Sequence, residues 1–583
     1  MTNKKLAWKH LLPDLASFKE VFEKPFSPLT SPLETIQARL TDGLTRFCYA
    51  HSPNRFMVLM AQEEEEYLQL ISETVKQILP ESDQPVGSRY IVSGMNVSEQ
   101  PAINVDDNFA ARSTCVWEAW VEYERLFGTL SYYHDTINLH PGLVHRVNGG
   151  VLIVGARTII SQPFLWLRLK RMILQQRFDW HPADERRPLP VSVPSMPLNL
   201  RLIVVGDREG LAALNNVEPE LMCLALYGEF ESELRTSDAQ KMTQWCTWVN
   251  TLAQRQGLPL LSADAWPALV RQSVRFSGDK CQLPLCPQWI IRRLKEAALH
   301  SSQQELTGSA FTESKRNRMW RESYLIERMQ YEITEGQIVV ATEGQVVGQV
   351  NALSVLDCPG HPLAFGAPLR ISCVVHGGDG EINDIERKVE LGGNLHAKSM
   401  LIMQAFLISA LDLKQQFPFS ASLVFEQSYG EVDGDSAALA AGVALISALA
   451  DQPINQQMAV TGSVDQFGHV QAIGGINEKI EGFFSLCQAR ELTGKQGVIL
   501  PSANVRHLCL NDDVIEAVRT GDFSLWAVRT IDEALEILIS MPFNHEKHPS
   551  LLAAIRKRIA NINLHEGQRF PWGLRCLNWL KDR

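Results

Sequence analysis

The chain has 583 residues, a net charge of −11, a hydrophobic fraction of 45% and a charged fraction of 21%. At roughly 150 residues per domain, this length predicts three or four domains of ordinary globular composition. The negative charge argues against nucleic acid as the main partner. No apolar run reaches the roughly 18 residues of a membrane-spanning helix, and the N-terminal sequence MTNKKLAWKHLLPDLASF lacks the features of a signal peptide. We therefore expect a cytoplasmic protein that does not insert into a membrane.

The front half of the chain carries short apolar runs separated by long helical stretches. NRFMVLMAQ (54–62), GGVLIVGA (149–156) and LNLRLIVVGDREGL (198–211) predict buried strands, and EEEEYLQLISETVKQIL predicts a helix after the first strand. This alternation predicts a parallel α/β sheet. Residues from about 215 to 330 are predicted to be mostly helical. They end in the charged run ESKRNRMWRESYLIERM, which is interpreted as a solvated helix linking two domains.

The 11 cysteines are scattered along the chain. An odd, scattered set is typical of a reducing compartment rather than of a disulfide framework. The closest pair, Cys281 and Cys286 in CQLPLC, is spaced too widely for half of a zinc knuckle, and no second half lies nearby in the sequence. We therefore expect no metal site.

The second half of the chain has more β character. EGQIVVATEGQVVGQVNALSV alternates and predicts a hairpin that turns at Glu343-Gly344. Strands are also predicted for LRISCVVHGG, ERKVEL, ASLVFEQ, MAVTGSV and HVQAI, and a helix for KSMLIMQAFLISALDLK. The tail after Met541 is basic and is predicted to be partly helical.

The stretch GEVDGDSAALAAG places two acids, Asp433 and Asp435, just before Ser436. Apolar residues in SAALAAGVALISALA recur at steps of three and four, which predicts a helix with one buried face. Either Asp435 or Ser436 could cap this helix. Alternatively, Ser436 could be a nucleophile, because amides at a helix start can stabilise a developing oxyanion.

A serine nucleophile needs a base, and neither a His-x-Asp pattern nor a Gly-x-Ser-x-Gly elbow accompanies Ser436. His469 and His396 are present, but no sequence feature connects either one to the serine. Lys479, in GGINEKIEGFF, is predicted within about the first turn of a helix and beside its buried face. Burial can lower a lysine pKa by the roughly three units, about 4 kcal/mol, that base catalysis requires. An ordinary solvated lysine is the alternative.

Three segments carry a resemblance to a known family. GDSAALAAGVALISAL, AVTGSVDQFGHVQAIGGINEKIEGFF and GVILPSANVRHL, in that order and spacing, closely resemble the proteolytic domain of Lon proteases. The acids before the serine resemble the LonB-type branch, and the overall match is similar to a bacterial group of Lon protease homologues. The resemblance implies Ser436 as the nucleophile and Lys479 as the general base. It also implies that Thr461 orients this pair, and that Asp435 and Asp433 polarise or hydrogen-bond the site.

The front half resembles the AAA+ ATPase module of the same family, whose phosphate loop reads Gly-x-x-x-x-Gly-Lys-Ser/Thr. Here the two glycines, the lysine and the hydroxyl residue correspond to Met60, Glu65, Glu66 and Tyr67. The four consecutive glutamates at 63–66 would repel a triphosphate. Their alternative interpretation is structural, because acids in the first turn of a helix favour its dipole.

A second part of the nucleotide site also departs from the family pattern. The strand GGVLIVGA resembles the one that normally ends in Asp-Glu for magnesium and water, but Gly155-Ala156 stand there. The resemblance implies an AAA+ fold, and the departures from its motifs predict that the nucleotide chemistry is lost. ATP–Mg binding is a family property that these residues argue against, so we expect no cofactor.

These predictions describe an α/β and α+β multidomain chain. A degenerate AAA+ module, with a parallel α/β sheet and a helical subdomain, precedes a Lon-type α+β proteolytic domain that the resemblance covers from about residue 335 to 540. The expected segments are an N-terminal segment (1–50), the degenerate AAA+ domain (51–215), a helical subdomain and linker (216–334), the proteolytic domain (335–541) and a C-terminal tail (542–583).

The function that the resemblance implies is a serine endopeptidase with a Ser–Lys dyad that cleaves unfolded or damaged proteins. The residues that replace the family's nucleotide motifs lead us to expect that it does so without ATP hydrolysis. Its expected partners are protein or peptide substrates and further copies of itself, as a hexameric ring, with no membrane or nucleic acid. One alternative is an ATP-dependent Lon-type protease with an atypical nucleotide site. The other is a non-catalytic, chaperone-like adaptor.

Overall fold

The structure is a computed structural model. It describes residues 4–49, 51–79, 85–133, 136–184, 186, 188–301, 304–378, 380–411, 419–428, 430–545 and 548–568. The chain forms two compact units. We call them the parallel-sheet unit (Lys19–Trp266 and Pro284–Phe311) and the mixed-sheet unit (Met1–Phe18, Pro267–Leu283 and Thr312–Arg583). The five segments predicted from the sequence are a finer division and stay predictions.

Within the described residues, the parallel-sheet unit is built on five parallel strands. Their order across the sheet is Ala225–Glu229, Phe56–Met60, Arg201–Gly206, Val151–Gly155 and Cys115–Glu118. The three central strands are those predicted from the sequence, and they are buried because helices cover both faces of such a sheet. The parallel α/β sheet is therefore confirmed. The two outer strands are not predicted from the sequence, because Cys115–Glu118 is short and Ala225–Glu229 lies among helices.

Helices and short strands complete this unit. Its helices are Lys19–Phe22, Pro32–Ile36, Ala38–Cys48, Glu65–Ile78, Tyr123–Phe127, Leu143–Arg146, Ala156–Ser161, Pro163–Gln175, Arg208–Val217, Pro219–Leu224, Ala239–Arg255 and Pro287–Ala298. Its short strands are Val86–Ser93, Asn96–Pro101, Phe109–Ala111, Thr129–Tyr133, Thr136–His140, Arg177–Phe178, Met196–Pro197, Glu233–Arg235, Leu260–Leu261 and Glu305–Leu306. Elements with residues in both units are the helices Ala265–Ser277 and Gly308–Glu322 and the strand Gln282–Pro284.

The mixed-sheet unit has a seven-stranded sheet within the described residues. The strand order is Ile382–Asp384, Phe419–Glu426, Phe365–Gly377, Gln349–Leu356, Met458–Val460, Gly497–Pro501 and Ser524–Val528. Antiparallel pairs join the second, third and fourth of these strands, and the other pairs are parallel. The N-terminal residues extend this sheet, because the Leu6 amide donates to the Leu525 carbonyl at 2.8 Å.

Two central helices of this unit are named here for the residues they position. The serine helix is Ala438–Ala450 and the lysine helix is Ile476–Ala489. The other helices are Trp8–Leu11, Ala16–Phe18, Tyr324–Thr334, Ile385–Lys388, Asn394–Leu411, Ser502–His507, Asp512–Thr520, Ile531–Ile539 and Leu551–Gln568. Two further strand pairs are Gln345–Val347 with Pro453–Asn455, and Ser463–Val464 with Val470–Gln471.

Two local predictions in this unit are wrong. The hairpin at Glu343-Gly344 does not form: Gln345–Val347 pairs with Pro453–Asn455, and the strand Gln349–Leu356 pairs with Phe365–Gly377. ERKVEL is not a strand, because its start lies in the helix Ile385–Lys388. The alternating sequence around Glu343-Gly344 correctly predicts extended chain. It does not identify the partner strands, because these are distant in sequence.

The serine helix lies in the middle of the core. The sequence predicts one buried face, whereas all residues from Ala438 to Ala450 are buried. A helix that is apolar on every side can be stable only if it is covered on every side. The tail helix Leu551–Gln568 covers its end, where the Arg558 guanidinium donates to the carbonyls of Ala448 and Leu449 at 2.6 and 3.2 Å. These bonds satisfy carbonyls that a helix end otherwise leaves unpaired.

Among the residues described, no helix combines the length and apolar composition needed to cross a membrane.

Candidate active site

Ser436 lies just before the serine helix and does not cap it. The cap position is Ala437, which makes no side-chain capping bond, so the capping interpretation of Ser436 is wrong. The Ser436 carbonyl accepts a hydrogen bond from the Gly462 amide at 2.9 Å, and the Leu439 amide donates to the Gly462 carbonyl at 3.0 Å. These two hydrogen bonds join Ser436 and the start of the serine helix to Gly462, which lies just after the strand Met458–Val460. Gly462 is absent from the predicted site residues, and its only sequence signal is that it follows Thr461.

The lysine helix brings Lys479 to the serine. Lys479 is in the first turn of that helix, and its amide donates to the Gly475 carbonyl at 3.0 Å. The Lys479 ammonium donates to Ser436 Oγ at 2.8 Å and to Thr461 Oγ1 at 3.2 Å. Three side chains that are distant in sequence thus meet at one point, as a serine–lysine site requires.

A close approach between backbones holds the first turn of the lysine helix. A Cβ atom added at Gly366, in the strand Phe365–Gly377, would lie 1.9 Å from the Glu478 carbonyl oxygen and 2.8 Å from Lys479 Cα. Any other residue at 366 would therefore push the lysine helix away from the strand. Glycine at this position is a requirement of the site that the sequence does not reveal.

Burial changes the acid–base properties of Lys479. Its side chain is almost enclosed, with only 3% of the residue exposed. Desolvation lowers the pKa of Lys479 to about 8, and the nearby Asp435 carboxylate opposes the shift. At pH 7.5, a pKa of about 8 leaves about a quarter of the lysine neutral, against about one part in a thousand for an unshifted side chain. A neutral amine beside a serine hydroxyl can accept its proton.

Thr461 is fully buried and touches both members of the pair. Its hydroxyl accepts from Lys479 Nζ and donates to the Ser436 carbonyl at 3.3 Å. Its own amide donates to the Ile499 carbonyl at 3.1 Å, which extends the strand hydrogen bonding past Val460. The backbone therefore fixes the threonine, and the threonine hydroxyl is placed to orient the lysine.

The two predicted acids differ in their surroundings. Asp435 is exposed and acts on Lys479 through its charge. Within the described part of the chain, the Asp433 carboxylate receives its hydrogen bonds from backbone amides, of which two belong to Leu395 and Gly434 at 3.1 and 3.0 Å. Asp433 thus ties the loop before Ser436 to the start of the helix Asn394–Leu411.

The two histidines considered as bases have other neighbours. His396 is buried, and its Nε2 lies 2.9 Å from Asp384 Oδ2. His469 is exposed, and its Nδ1 lies 3.0 Å from Asp465 Oδ2. Neither ring makes a hydrogen bond to Ser436 among the described residues. Lys479 is therefore the titratable group that the structure places on the serine hydroxyl.

In the region that corresponds to a phosphate loop, Glu63 turns inwards. Its carboxylate accepts from the Arg157 amide at 3.4 Å and lies 3.8 Å from the Arg157 guanidinium. A Cβ atom added at Gly155 would lie 2.2 Å from Glu63 Oε2, so the glutamate fills the end of the strand Val151–Gly155. Burial raises the pKa of Glu63, and the contacts with Arg157 oppose that shift.

The neighbouring glutamates also disagree with a nucleotide site. Glu65 and Glu66 lie in the first turn of the helix Glu65–Ile78, where acids suit the helix dipole. Tyr67, at the position of the family's hydroxyl residue, is buried. Carboxylates thus replace the donors that would hold a triphosphate, and ATP–Mg does not fit the residues present here.

Two family models match separate parts of the chain. A family model described as "LonB-like, AAA domain" matches residues 112–225. A second, described as "Lon protease (S16) C-terminal proteolytic domain", matches residues 429–541 and includes Ser436, Thr461 and Lys479.

Full-length relatives carry the same family name. The chain is 52% identical to the "Putative Lon protease homolog" of Escherichia coli (strain K12), over 99% of each chain. It is 39% identical to the protein of the same name from Haemophilus influenzae, over 95% of this chain and 93% of that one. The "Archaeal Lon protease" of Thermococcus kodakarensis is 26% identical, over 69% of this chain and 61% of the relative. This chain belongs to the Lon protease family and carries the proteolytic domain of that family.

Proposed function

We propose that this protein is a serine endopeptidase in which Ser436 and Lys479 form the catalytic dyad. The observation that carries the proposal is the 2.8 Å contact between Lys479 Nζ and Ser436 Oγ. The lysine is nearly enclosed and its pKa is lowered to about 8, so that a base is available near neutral pH. Serine–lysine pairs are an established variant of hydrolytic sites.

In the proposed reaction, the neutral Lys479 amine accepts the Ser436 hydroxyl proton while Oγ attacks the carbonyl carbon of a peptide bond. Amides near the start of the serine helix stabilise the oxyanion of the tetrahedral intermediate. The Lys479 ammonium then gives this proton to the amine nitrogen as the carbon–nitrogen bond breaks. The acyl part of the substrate remains bound to Ser436 as an ester. Water attacks this ester with Lys479 again as the base, and the free serine is restored. Thr461 orients the lysine. The charge of Asp435 stabilises the protonated form of Lys479, and Asp433 holds the loop before Ser436 in position.

We propose unfolded or damaged proteins as substrates, because the relatives are named as Lon proteases. On the basis of the same family membership we also propose a homo-oligomer, as a hexameric ring, and a cytoplasmic location. These proposals concern the setting of the site and do not affect the chemistry of the dyad.

We also propose that cleavage proceeds without ATP hydrolysis. The buried Glu63 carboxylate fills the end of the strand Val151–Gly155, and a Cβ atom cannot be placed at Gly155 beside it. Glu65 and Glu66 add negative charge in the first turn of the following helix. A triphosphate would meet repulsion where it needs lysine and backbone donors.

Two alternatives make different predictions. An ATP-dependent protease would bind and hydrolyse nucleotide through residues that the family pattern does not include. A non-catalytic, chaperone-like adaptor would hold proteins without cleaving them, and the Ser436–Lys479 contact would then serve no reaction.

A single digestion experiment separates the three functions. Casein is incubated with the wild type and with Ser436→Ala, each with and without ATP–Mg. We expect the wild type to cleave equally with and without nucleotide, and the variant not to cleave. Cleavage only with ATP–Mg would favour the ATP-dependent protease, and no cleavage by the wild type in either condition would favour the adaptor.

A further inference from the structure

The lysine helix is held from outside by one arginine. Glu478 and Glu481 flank Lys479 on that helix, and Arg275, in the helix Ala265–Ser277, contacts both carboxylates. Arg275 Nη2 donates to Glu478 Oε1 at 2.8 Å and to Glu481 Oε2 at 2.8 Å. Arg275 Nη1 donates to Glu481 Oε1, also at 2.8 Å. All of these residues belong to the mixed-sheet unit.

These contacts have the geometry of strong ion pairs. The guanidinium engages Glu481 through two parallel hydrogen bonds, an arrangement that fixes orientation as well as distance. The side chains of Arg275, Glu478 and Glu481 are only 28%, 24% and 16% exposed. Solvent therefore screens these pairs less than it screens the isolated pairs of the surface.

Cys509 and Asn511 add further hydrogen bonds to the same network. Arg275 Nη1 also donates to the Cys509 carbonyl at 3.0 Å. The Asn511 amide donates to Glu481 Oε1 at 2.9 Å, and Lys315 Nζ donates to Asn511 Oδ1 at 3.1 Å. The carboxylate that Arg275 holds is thus itself held by the backbone, so the network has little freedom to shift.

Lys479 depends on the position of this turn of helix. Its Cα lies between the two clamped glutamates in sequence and packs against Gly366 on the other side. An error of about 1 Å in the position of a catalytic group can cost about a hundredfold in rate. A network that fixes Glu478 and Glu481 therefore also fixes the origin of the lysine side chain.

We propose that Arg275 is a positioning residue of the protease site: its paired contacts with Glu478 and Glu481 hold the first turns of the lysine helix so that Lys479 Nζ stays on Ser436 Oγ. This inference rests on the proposed Ser–Lys function. A lysine at 275 could not replace the arginine fully, because a single ammonium cannot bind two carboxylates in the planar geometry of the guanidinium.

The test compares Arg275→Met and Arg275→Lys with the wild type in cleavage of a fluorogenic peptide. We expect Arg275→Met to lower kcat at least about tenfold and to change KM by less than about twofold, because substrate binding is not affected. Arg275→Lys should recover part of kcat. Arg490→Met is the matched control: Arg490 follows the same helix at its other end and donates to the Val340 carbonyl at 2.6 Å. A loss of kcat in Arg490→Met equal to that in Arg275→Met would overturn the proposal.

Hydrogen exchange tests, independently of catalysis, whether Arg275 holds the lysine helix through Glu478 and Glu481; we call these contacts the clamp. We expect Arg275→Met to speed amide exchange in residues 476–483 at least about tenfold, while Arg490→Met leaves exchange in those residues near the wild-type rate. If the wild type did not cleave, the proposed function would be wrong. Hydrogen exchange would still show whether the contacts of Arg275 with Glu478 and Glu481 hold the lysine helix. Unchanged exchange in Arg275→Met would show that there is no clamp, whatever the activity.

A variant without the three charges of the network keeps the test valid if Arg275→Met does not fold. Arg275→Met leaves two partly buried carboxylates without their partner and could fail to fold. The triple variant Arg275→Met/Glu478→Gln/Glu481→Gln removes the three charges together. It should fold and show the same loss of kcat and faster exchange at 476–483. Wild-type kcat and exchange in the triple variant would overturn the proposal.

Discussion

The Thr461 hydroxyl accepts a hydrogen bond from Lys479 Nζ at 3.2 Å, while the residue itself is fully buried. Thr461→Val keeps the shape of the side chain and removes this partner, so the lysine amine gains freedom to leave the serine. We expect kcat to fall about 10- to 100-fold, with KM nearly unchanged. Thr461→Ser retains the hydroxyl and should keep most of the activity. Steady-state peptide cleavage by the three proteins checks this, and full activity in Thr461→Val would show that the hydroxyl does not orient Lys479.

Ser436→Ala should abolish both peptide cleavage and covalent labelling by a serine-directed acylating reagent. Ser436 Oγ is the atom that Lys479 contacts, and alanine has no oxygen to acylate. The fold should remain, because the hydrogen bond from the Gly462 amide to the Ser436 carbonyl does not involve the serine side chain. Mass spectrometry after labelling and the melting temperature provide the two measurements. Ser485→Ala, a substitution within the lysine helix, is the control and should label normally. Labelling at a different residue in Ser436→Ala would move the nucleophile elsewhere.

The depressed lysine pKa also predicts how stability depends on pH. Since the pKa of Lys479 falls from 10.5 to about 8 on folding, the unfolded state binds more protons between these two values. The free energy of unfolding of the wild type therefore carries a penalty of about 3 kcal/mol below pH 8, which disappears as the pH rises towards 10.5.

Lys479→Met removes this penalty and should be the more stable protein at pH 7. Its advantage over the wild type should shrink as the pH rises from 8 to 10, and paired denaturation curves at each pH measure the difference. The exposed Lys495 provides the control, because Lys495→Met should show no such trend. A constant difference between Lys479→Met and the wild type would mean that the buried lysine keeps an ordinary pKa.

Nucleotide should not bind to the parallel-sheet unit. Isothermal titration calorimetry of the full chain with ATP–Mg should show no heat of binding at micromolar concentrations, since Glu63, Glu65 and Glu66 oppose a triphosphate. Glu63→Gln removes one of these charges without supplying glycine or lysine, so it should not restore binding. A micromolar dissociation constant together with hydrolysis would contradict this interpretation of the site.

Much of the fold can be predicted from the sequence where burial leaves a continuous pattern. The strands Phe56–Met60, Val151–Gly155 and Arg201–Gly206 are apolar throughout because helices cover both faces of their sheet. The strand Ala225–Glu229 lies among helices and is less buried, so its pattern is weak. ERKVEL is predicted as a strand, but its first three residues lie in the helix Ile385–Lys388, where the buried Glu386 carboxylate accepts a hydrogen bond from the Phe425 amide at 3.0 Å. Such distant contacts leave no local signal.

The site divides in a similar way between what can and cannot be predicted. Motif resemblance supplies Ser436, Lys479 and Thr461, while the distances between them come only from the structure. The attachment of Asp433 to the start of the helix Asn394–Leu411 depends on tertiary packing and is invisible in the sequence. The contact of Arg275 with Glu478 is likewise not predicted, because the arginine lies more than two hundred positions earlier and no local pattern connects the two residues.

The role of Lys479 as the base is tested by the pH dependence of single-turnover cleavage of a fluorogenic peptide. The wild type, Lys479→Ala and Lys479→Arg are compared between pH 6 and 10. Because the neutral amine acts as the base, we predict that the wild-type rate rises with pH through an apparent pKa of about 8 and then levels off. Both variants should be inactive, since alanine has no base and guanidinium does not lose its proton in this range. Substantial activity in Lys479→Arg, or a wild-type rate independent of pH through 8, would contradict the assignment of Lys479 as the general base.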